Sequence, residues 1–232
     1  SWRWPAKCDL IFVERGVVSF TKPDYTRYGE SAGGMFGMLP EYARLFGCKT
    51  EVVKDIPEVL DPGKVLVFTN LDEDIGEVEM KKVWDFVSRG GRLWVLGDHT
   101  FIKNGRNHLN EILAPCHISF NNDSAQFFPQ GWFHSYRFPQ GTPFATLHDD
   151  AENRPGILVG ASLELGVPAQ PFVMGRFGYS DWGLEVAEGD RGYLGDFKYQ
   201  PSERLGDLVL VAGERHGKGR VLVFGDTSSF FN

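Results

Sequence analysis

Asp98, His99 and Asp226 are the side chains in this sequence best placed to do chemistry. Each follows a run that reads as a β-strand: Arg92-Leu93-Trp94-Val95-Leu96-Gly97 leads into Asp98-His99-Thr100, and Arg220-Val221-Leu222-Val223-Phe224-Gly225 leads into Asp226. In an open parallel sheet, ligands bind outside the carboxyl ends of the strands, so two carboxylates and an imidazole should share one edge. If Asp98 and His99 converged within hydrogen-bond reach inside a pocket, they could perform the acid-base work of a hydrolase on a small polar or carbohydrate-like substrate. Asp98, His99 and Asp226, with Asp123 as a fourth, also offer oxygen and nitrogen ligands to a metal, although no HExxH or Asp-rich loop accompanies them. The simpler expectation is that each Asp caps the turn that follows it, accepting backbone N–H groups. Position on a fold does not by itself make a site, so capping leads.

A second candidate is the loop from Lys22 to Gly34, which follows the first strand and leads into a helix. Gly33 and Gly34 at the helix start could bring backbone amides close to an anion, and Tyr25, Arg27 and Tyr28 could grip a polar ligand. The plainer account is a tight turn with Ser31 near the cap, since neither GxGxxG nor a Walker A motif is present. Tyr28, Gly33, Gly34, Asp98, His99, Thr100 and Asp226 are therefore where a ligand is expected. Between Asn121 and Tyr136 aromatic and polar residues alternate, suiting either stacking on a sugar or peptide or a lid packed on the sheet. The lid is preferred because Phe and Trp are usually buried. Cys116 and His117 are neighbours, and adjacent residues on a strand point to opposite faces, which argues against a nucleophile-base pair. His108 and His134 have no carboxylate at a telling spacing and read as surface histidines.

The elements that must position these groups alternate in the first half. Strands are expected over Cys8–Glu14, Thr50–Val53, Lys64–Thr69 and Arg92–Gly97, and helices over Met35–Phe46 and Ile75–Ser88, stopped by Gly47 and by Gly90-Gly91. This order predicts an α/β fold with a mostly parallel central sheet and helices on its faces. From Cys116 to Glu203 short strand-like pieces rich in Gly and Pro read as a β-rich elaboration on the sheet, within one domain spanning 1–232. Two further strands, Asp207–Ala212 and Arg220–Gly225, flank a hairpin-like turn over Glu214–Gly219.

Composition bounds the function. With 232 residues, 42% hydrophobic and 24% charged, the chain can bury a sizeable core. Its net charge of −7 and lack of any Lys/Arg run argue against a nucleic-acid partner. Cys8, Cys48 and Cys116 lie far apart without a CxxC pair, giving neither a disulfide framework nor a zinc signature. No apolar run reaches the roughly 18 residues a membrane helix needs. The start at Ser1 and the stop at Asn232 lead to the expectation of a piece of a longer protein, with any signal or membrane helix outside these residues.

Two stretches carry a family resemblance: Gly90-Gly91-Arg92-Leu93-Trp94-Val95-Leu96-Gly97-Asp98-His99-Thr100, and the run from Gly217 to Phe230 containing Val223-Phe224-Gly225-Asp226-Thr227-Ser228-Ser229. The chain resembles the class I glutamine amidotransferase-like domains of bacterial membrane proteins and of gliding-motility-type transporter accessory proteins. That resemblance implies a flavodoxin-like sheet and an extracytoplasmic or membrane-tethered setting. True class I amidotransferases carry a Gly-x-Cys-x-Gly turn where this chain reads Leu96-Gly97-Asp98-His99-Thr100. A carboxylate cannot replace the thiolate nucleophile, so glutaminase activity is not expected. The expectation is a non-catalytic domain that binds a small polar ligand or a protein partner, without a cofactor.

Overall fold

The computed structural model describes residues 8–16, 18–21, 36–71, 73–99, 108–121, 123–126, 135–147, 157, 160–182 and 195–230. Five strands run parallel side by side: β2 (Lys49–Val53), β1 (Asp9–Val13), β3 (Lys64–Thr69), β4 (Arg92–Leu96) and β11 (Gly219–Phe224), in that spatial order. The sheet then continues antiparallel through β10 (Leu205–His216) and β9 (Gln170–Trp182). On β9 pair both β6 (Asp123–Gln126) and the short β7 (Tyr136–Arg137). β5 (Ile118–Phe120) and β8 (Leu163–Leu165) form a separate two-stranded sheet.

Apart from the edge strand β2, the parallel strands carry apolar residues on both sides, so successive residues feed different clusters. Ile11, Val13, Leu66, Phe68, Leu93, Val95, Val221 and Val223 join Val83, Trp84, Phe86 and Val87 of α2 (Gly76–Ser88) and Leu109, Ile112 and Leu113 of α3 (Leu109–Leu113). Leu10, Phe12, Val67 and Leu96 instead meet Val18, Phe20 and Phe36, with Leu39 and Ala43 of α1 (Met38–Leu45) packed alongside. α1 ends at Gly47, whose φ of 86° only a residue without Cβ adopts at no cost.

Three sequence expectations need correction. The sheet is mixed rather than mostly parallel, because β10 and β11 are joined through a two-residue turn, Gly217-Lys218, and so short a connection can only return antiparallel. Glu214 and Arg215 therefore belong to β10 and not to the turn. Where short Gly-rich pieces were expected, β9 is one strand of 13 residues. Its bulge at Arg176-Phe177, with Phe177 at φ 59°, interrupts the two-residue period that would have revealed it.

Candidate functional site

The carboxyl ends of β3, β4 and β11 are drawn together by backbone bonds that extend the ladder past its last paired residues. Asn70 N donates to Leu96 O (2.9 Å) and Gly97 N donates to Phe224 O (3.0 Å). Gly225 admits a crossing segment, Gly160–Ser162, against the end of β11, with Ala161 N donating to Gly225 O at 2.7 Å. Asp98 and Asp226 thus emerge at one edge, as the sequence predicts.

Asp98 is tied into the protein at both oxygens. Thr227 Oγ1 donates to Oδ2 at 2.6 Å, and His99 N donates to Oδ1 at 2.8 Å. The His99 Nε2 lies 3.5 Å from the same Oδ1. Only 13% of the Asp98 side chain is exposed, and burial pushes its carboxyl up to about 7 from an ordinary 3.8, with the Thr227 and His99 donors pulling the other way. Behind this pair stands Asn70, whose Nδ2 donates to Thr227 Oγ1 at 3.3 Å. Asn70 is 1% exposed, has φ 39°, and its Oδ1 finds no hydrogen-bond donor among the described residues. An acceptor stranded on a residue in the left-handed region is a signature of functional or strained edges. Asn70 and Thr227 were not singled out from the sequence. Asn at a strand end does tolerate positive φ, but nothing in the sequence shows that Thr227 folds against Asp98, 129 residues away.

Asp226 behaves as the capping expectation requires: its Oδ1 accepts Ser228 N at 2.7 Å, at the start of the 3-10 turn Ser228–Phe230. Asp123 is not part of this group. It lies on β6, buried, with Oδ1 accepting Ser162 N (2.7 Å) and Oδ2 accepting Ser162 Oγ (2.5 Å). Among the described residues no three His, Cys, Asp or Glu side chains are grouped closely enough to hold a metal ion, so the Asp98, His99, Asp226 and Asp123 set is not assembled there as a centre. Tyr28, Gly33, Gly34 and Thr100 lie outside the described residues, as do Tyr25, Arg27 and His134.

Beside the same edge, where β1 and β2 end, a polar cavity of about 390 Å³ opens between Glu14, Arg15, Ser19, Lys54, Asp55 and Glu73. Arg15 is held there by a bidentate pair with Glu79 of α2, at 2.7 Å for each bond, and by Nε donating to Lys54 O. That pair raises the Arg15 pKa further. The cavity lies at the volume scale of small-ligand sites and mixes charges of both signs. Asp98, His99 and Asp226 do not line it.

Cys116 and His117 lie on the bend before β5 rather than on a strand, and their side chains take different partners. Cys116 Sγ sits against Ile118 O, and burial pushes its thiol up to about 12, which removes the thiolate a nucleophile needs. His117 turns to the buried Glu214, which accepts from its backbone N (2.7 Å) and faces its Nδ1 (3.0 Å). His108, expected to lack a carboxylate partner, has Glu111 Oε2 at 2.8 Å from its Nδ1, one turn along α3. Cys8 and Cys48, whose spacing gave no disulfide framework, form a disulfide between the segments entering β1 and β2. Parallel register sets Asp9 beside Lys49, which places the two preceding cysteines side by side.

No protein-family model matches the chain, and no curated protein matches it by sequence. Solved structures do share its fold. The mmIFT52 N-terminal domain aligns over 97% of this chain and 88% of its own, with a TM-score of 0.55 and 14% identity. A cytoplasmic protein from Salmonella typhimurium LT2 aligns over 96% and 89%, with a TM-score of 0.54 and 15% identity. A second cytoplasmic protein from Salmonella typhimurium follows at 95% and 88%, TM-score 0.51 and 13% identity. At these identities the likeness is one of fold alone, and the chain is a mixed α/β domain of that shape.

Proposed function

We propose that the chain is a non-catalytic, amidotransferase-like domain that binds a small polar ligand or a protein partner within a larger, membrane-associated bacterial protein. Its binding surface is the carboxyl edge of the parallel strands. The observation that carries this reading is the fixed state of Asp98: both oxygens accept from protein donors, and Thr227, which donates one of them, is itself braced by Asn70. A carboxylate so held organises an edge. The Asn70 acceptor and the neighbouring polar cavity supply what a small polar ligand would bond to.

The spatial order β2-β1-β3-β4-β11 corresponds to the 2-1-3-4-5 order of flavodoxin-like sheets and supports that assignment for the parallel half. Packing of α1 with Leu10 and Phe12, and of α2 and α3 with Ile11 and Val13, supports helices on both faces. The Cys8–Cys48 disulfide favours an oxidising, extracytoplasmic setting. No helix among the described residues is long and apolar enough to cross a membrane, so a tether would come from segments outside these residues. The acidic charge of −7 speaks against a nucleic-acid partner.

A second reading, a hydrolase using Asp98 and His99, is favoured by one observation: a carboxyl pushed to about 7 carries its proton near neutrality and could donate it. The binding account is tested by a thermal-shift screen of amino acids, dicarboxylates and monosaccharides. At least one class should raise the melting temperature of the parent and fail to do so in Asn70→Ala. A screen in which every shift survives that substitution would remove this edge as the binding surface.

A further inference from the structure

At the opposite ends of the same strands, on the face that carries Trp94 and Leu222, the chain forms a cleft of about 880 Å³. Its volume lies within the range of small-molecule sites. The floor is apolar toward the sheet centre, where Trp94 and Leu222 are paired across β4 and β11, and Phe144 and Phe172 form a wall. Phe172 stands over Gly213, where a Cβ would collide with its ring, so that glycine lets the wall close onto the floor.

The other end of the floor is a row of three guanidinium groups. Arg220 is paired with Arg92 across the parallel β11–β4 register and with Arg215 across the antiparallel β11–β10 register. Adjacent strands lie about 4.8 Å apart, so three like charges sit side by side. Directly opposed like charges in a sheet destabilise it. No carboxylate relieves them among the described residues: none of the three arginines has an ion-pair partner, and all are exposed. Glu214, next in sequence to Arg215, points to the other face and is engaged by His117. In a chain of net charge −7 this row is a local departure that folding does not need.

We propose that the cleft binds a single-chain fatty carboxylate, its hydrocarbon lying over Trp94, Leu222 and Phe172 and its carboxylate held by the arginine row. Guanidinium groups match a carboxylate with paired N–H donors, and the apolar floor begins at Trp94 and Leu222, two residues further along the strands and the next pair on the same face. The net acidity denies a longer polyanion the wider basic field it requires. This site is separate from the carboxyl edge and does not rest on the function proposed for it.

The test is calorimetric titration of the whole chain with sodium decanoate, with acetate and decyltrimethylammonium as probes of the head and the tail alone. One decanoate should bind per chain, more weakly as salt rises, and the two control probes should not bind. Affinity should fall about tenfold or more in Arg92→Ala/Arg220→Ala, the loss expected for charge-assisted bonds. Arg220→Gln alone should lower affinity while leaving the melting temperature level or higher, since it relieves repulsion. Absence of decanoate binding by the parent, or equal binding by the double variant, overturns the proposal. So does equal binding of the cationic probe, or a melting temperature that falls in Arg220→Gln while decanoate binding is unchanged. A dimer that the double variant dissolves and decanoate leaves intact would assign the cleft to a second copy of the chain and equally overturn it.

Discussion

Asp98 is held in the folded chain with its carboxyl at about 7, against an ordinary value of 3.8, because burial disfavours its charge. Between those two values the folded state binds more protons than the unfolded state, so stability should fall as pH rises from about 4 to about 7 and level off above that. Asp123 and Asp181, also raised by burial, contribute in the same direction. Asp98→Asn removes the share that extends to neutrality, and urea melts across this window should show a flatter profile in the variant. Thr227→Val takes away the hydroxyl that serves Asp98 and leaves Asn70 Nδ2 without its acceptor. A loss of about 1–3 kcal/mol is expected by denaturant unfolding, the cost of stranding buried polar groups. At this scale the sequence revealed the acids but not their partners. Asp98 and Asp226 follow apolar runs that end in Gly, which is a local signal. Thr227 and Asn70 matter through contacts between strand ends far apart in the chain, and no local pattern encodes them.

Elements were legible where one period dominates. β1, β3, β4 and α2 come within a residue or so of their expected bounds, because long apolar runs and Gly stops leave few alternatives. β9 was lost to its bulge, and α3, at five residues, is too short to show a helical period. The site depends on a contact between elements that only the fold reveals. The segment Gly160–Ser162 crosses the end of β11, and a Cβ at Gly225 would meet the Ala161 carbonyl oxygen. Gly225→Ala should therefore push this crossing away from the Asp226 turn and destabilise the chain by about 1–3 kcal/mol, the cost of overpacking. Thermal unfolding measures that loss. Hydrogen exchange should report the faster opening at Ala161 N and Ser228 N.

For the whole molecule, the disulfide closes a loop of 40 residues between the first two strands. A paired Cys8→Ser/Cys48→Ser variant should lose about 2–4 kcal/mol by the entropy of that loop, and reductant should lower the stability of the parent but not of the variant. Fold class followed from the β-α-β order of the first half, while the antiparallel half needed the two-residue turn at Gly217-Lys218 to be placed correctly. The likeness to the mmIFT52 domain and the Salmonella proteins extends over nearly the whole chain and leaves function to the site itself. The central claim is that the Asp98 edge binds without catalysing. The most direct measurement is turnover by the parent, Asp98→Asn and His99→Ala from about pH 5 to 8, a span that brackets the raised Asp98 carboxyl, with L-glutamine and with nitrophenyl esters and glycosides. The account predicts rates at the uncatalysed background for all three proteins. Turnover by the parent that disappears in Asp98→Asn, while the variant stays folded, would contradict it.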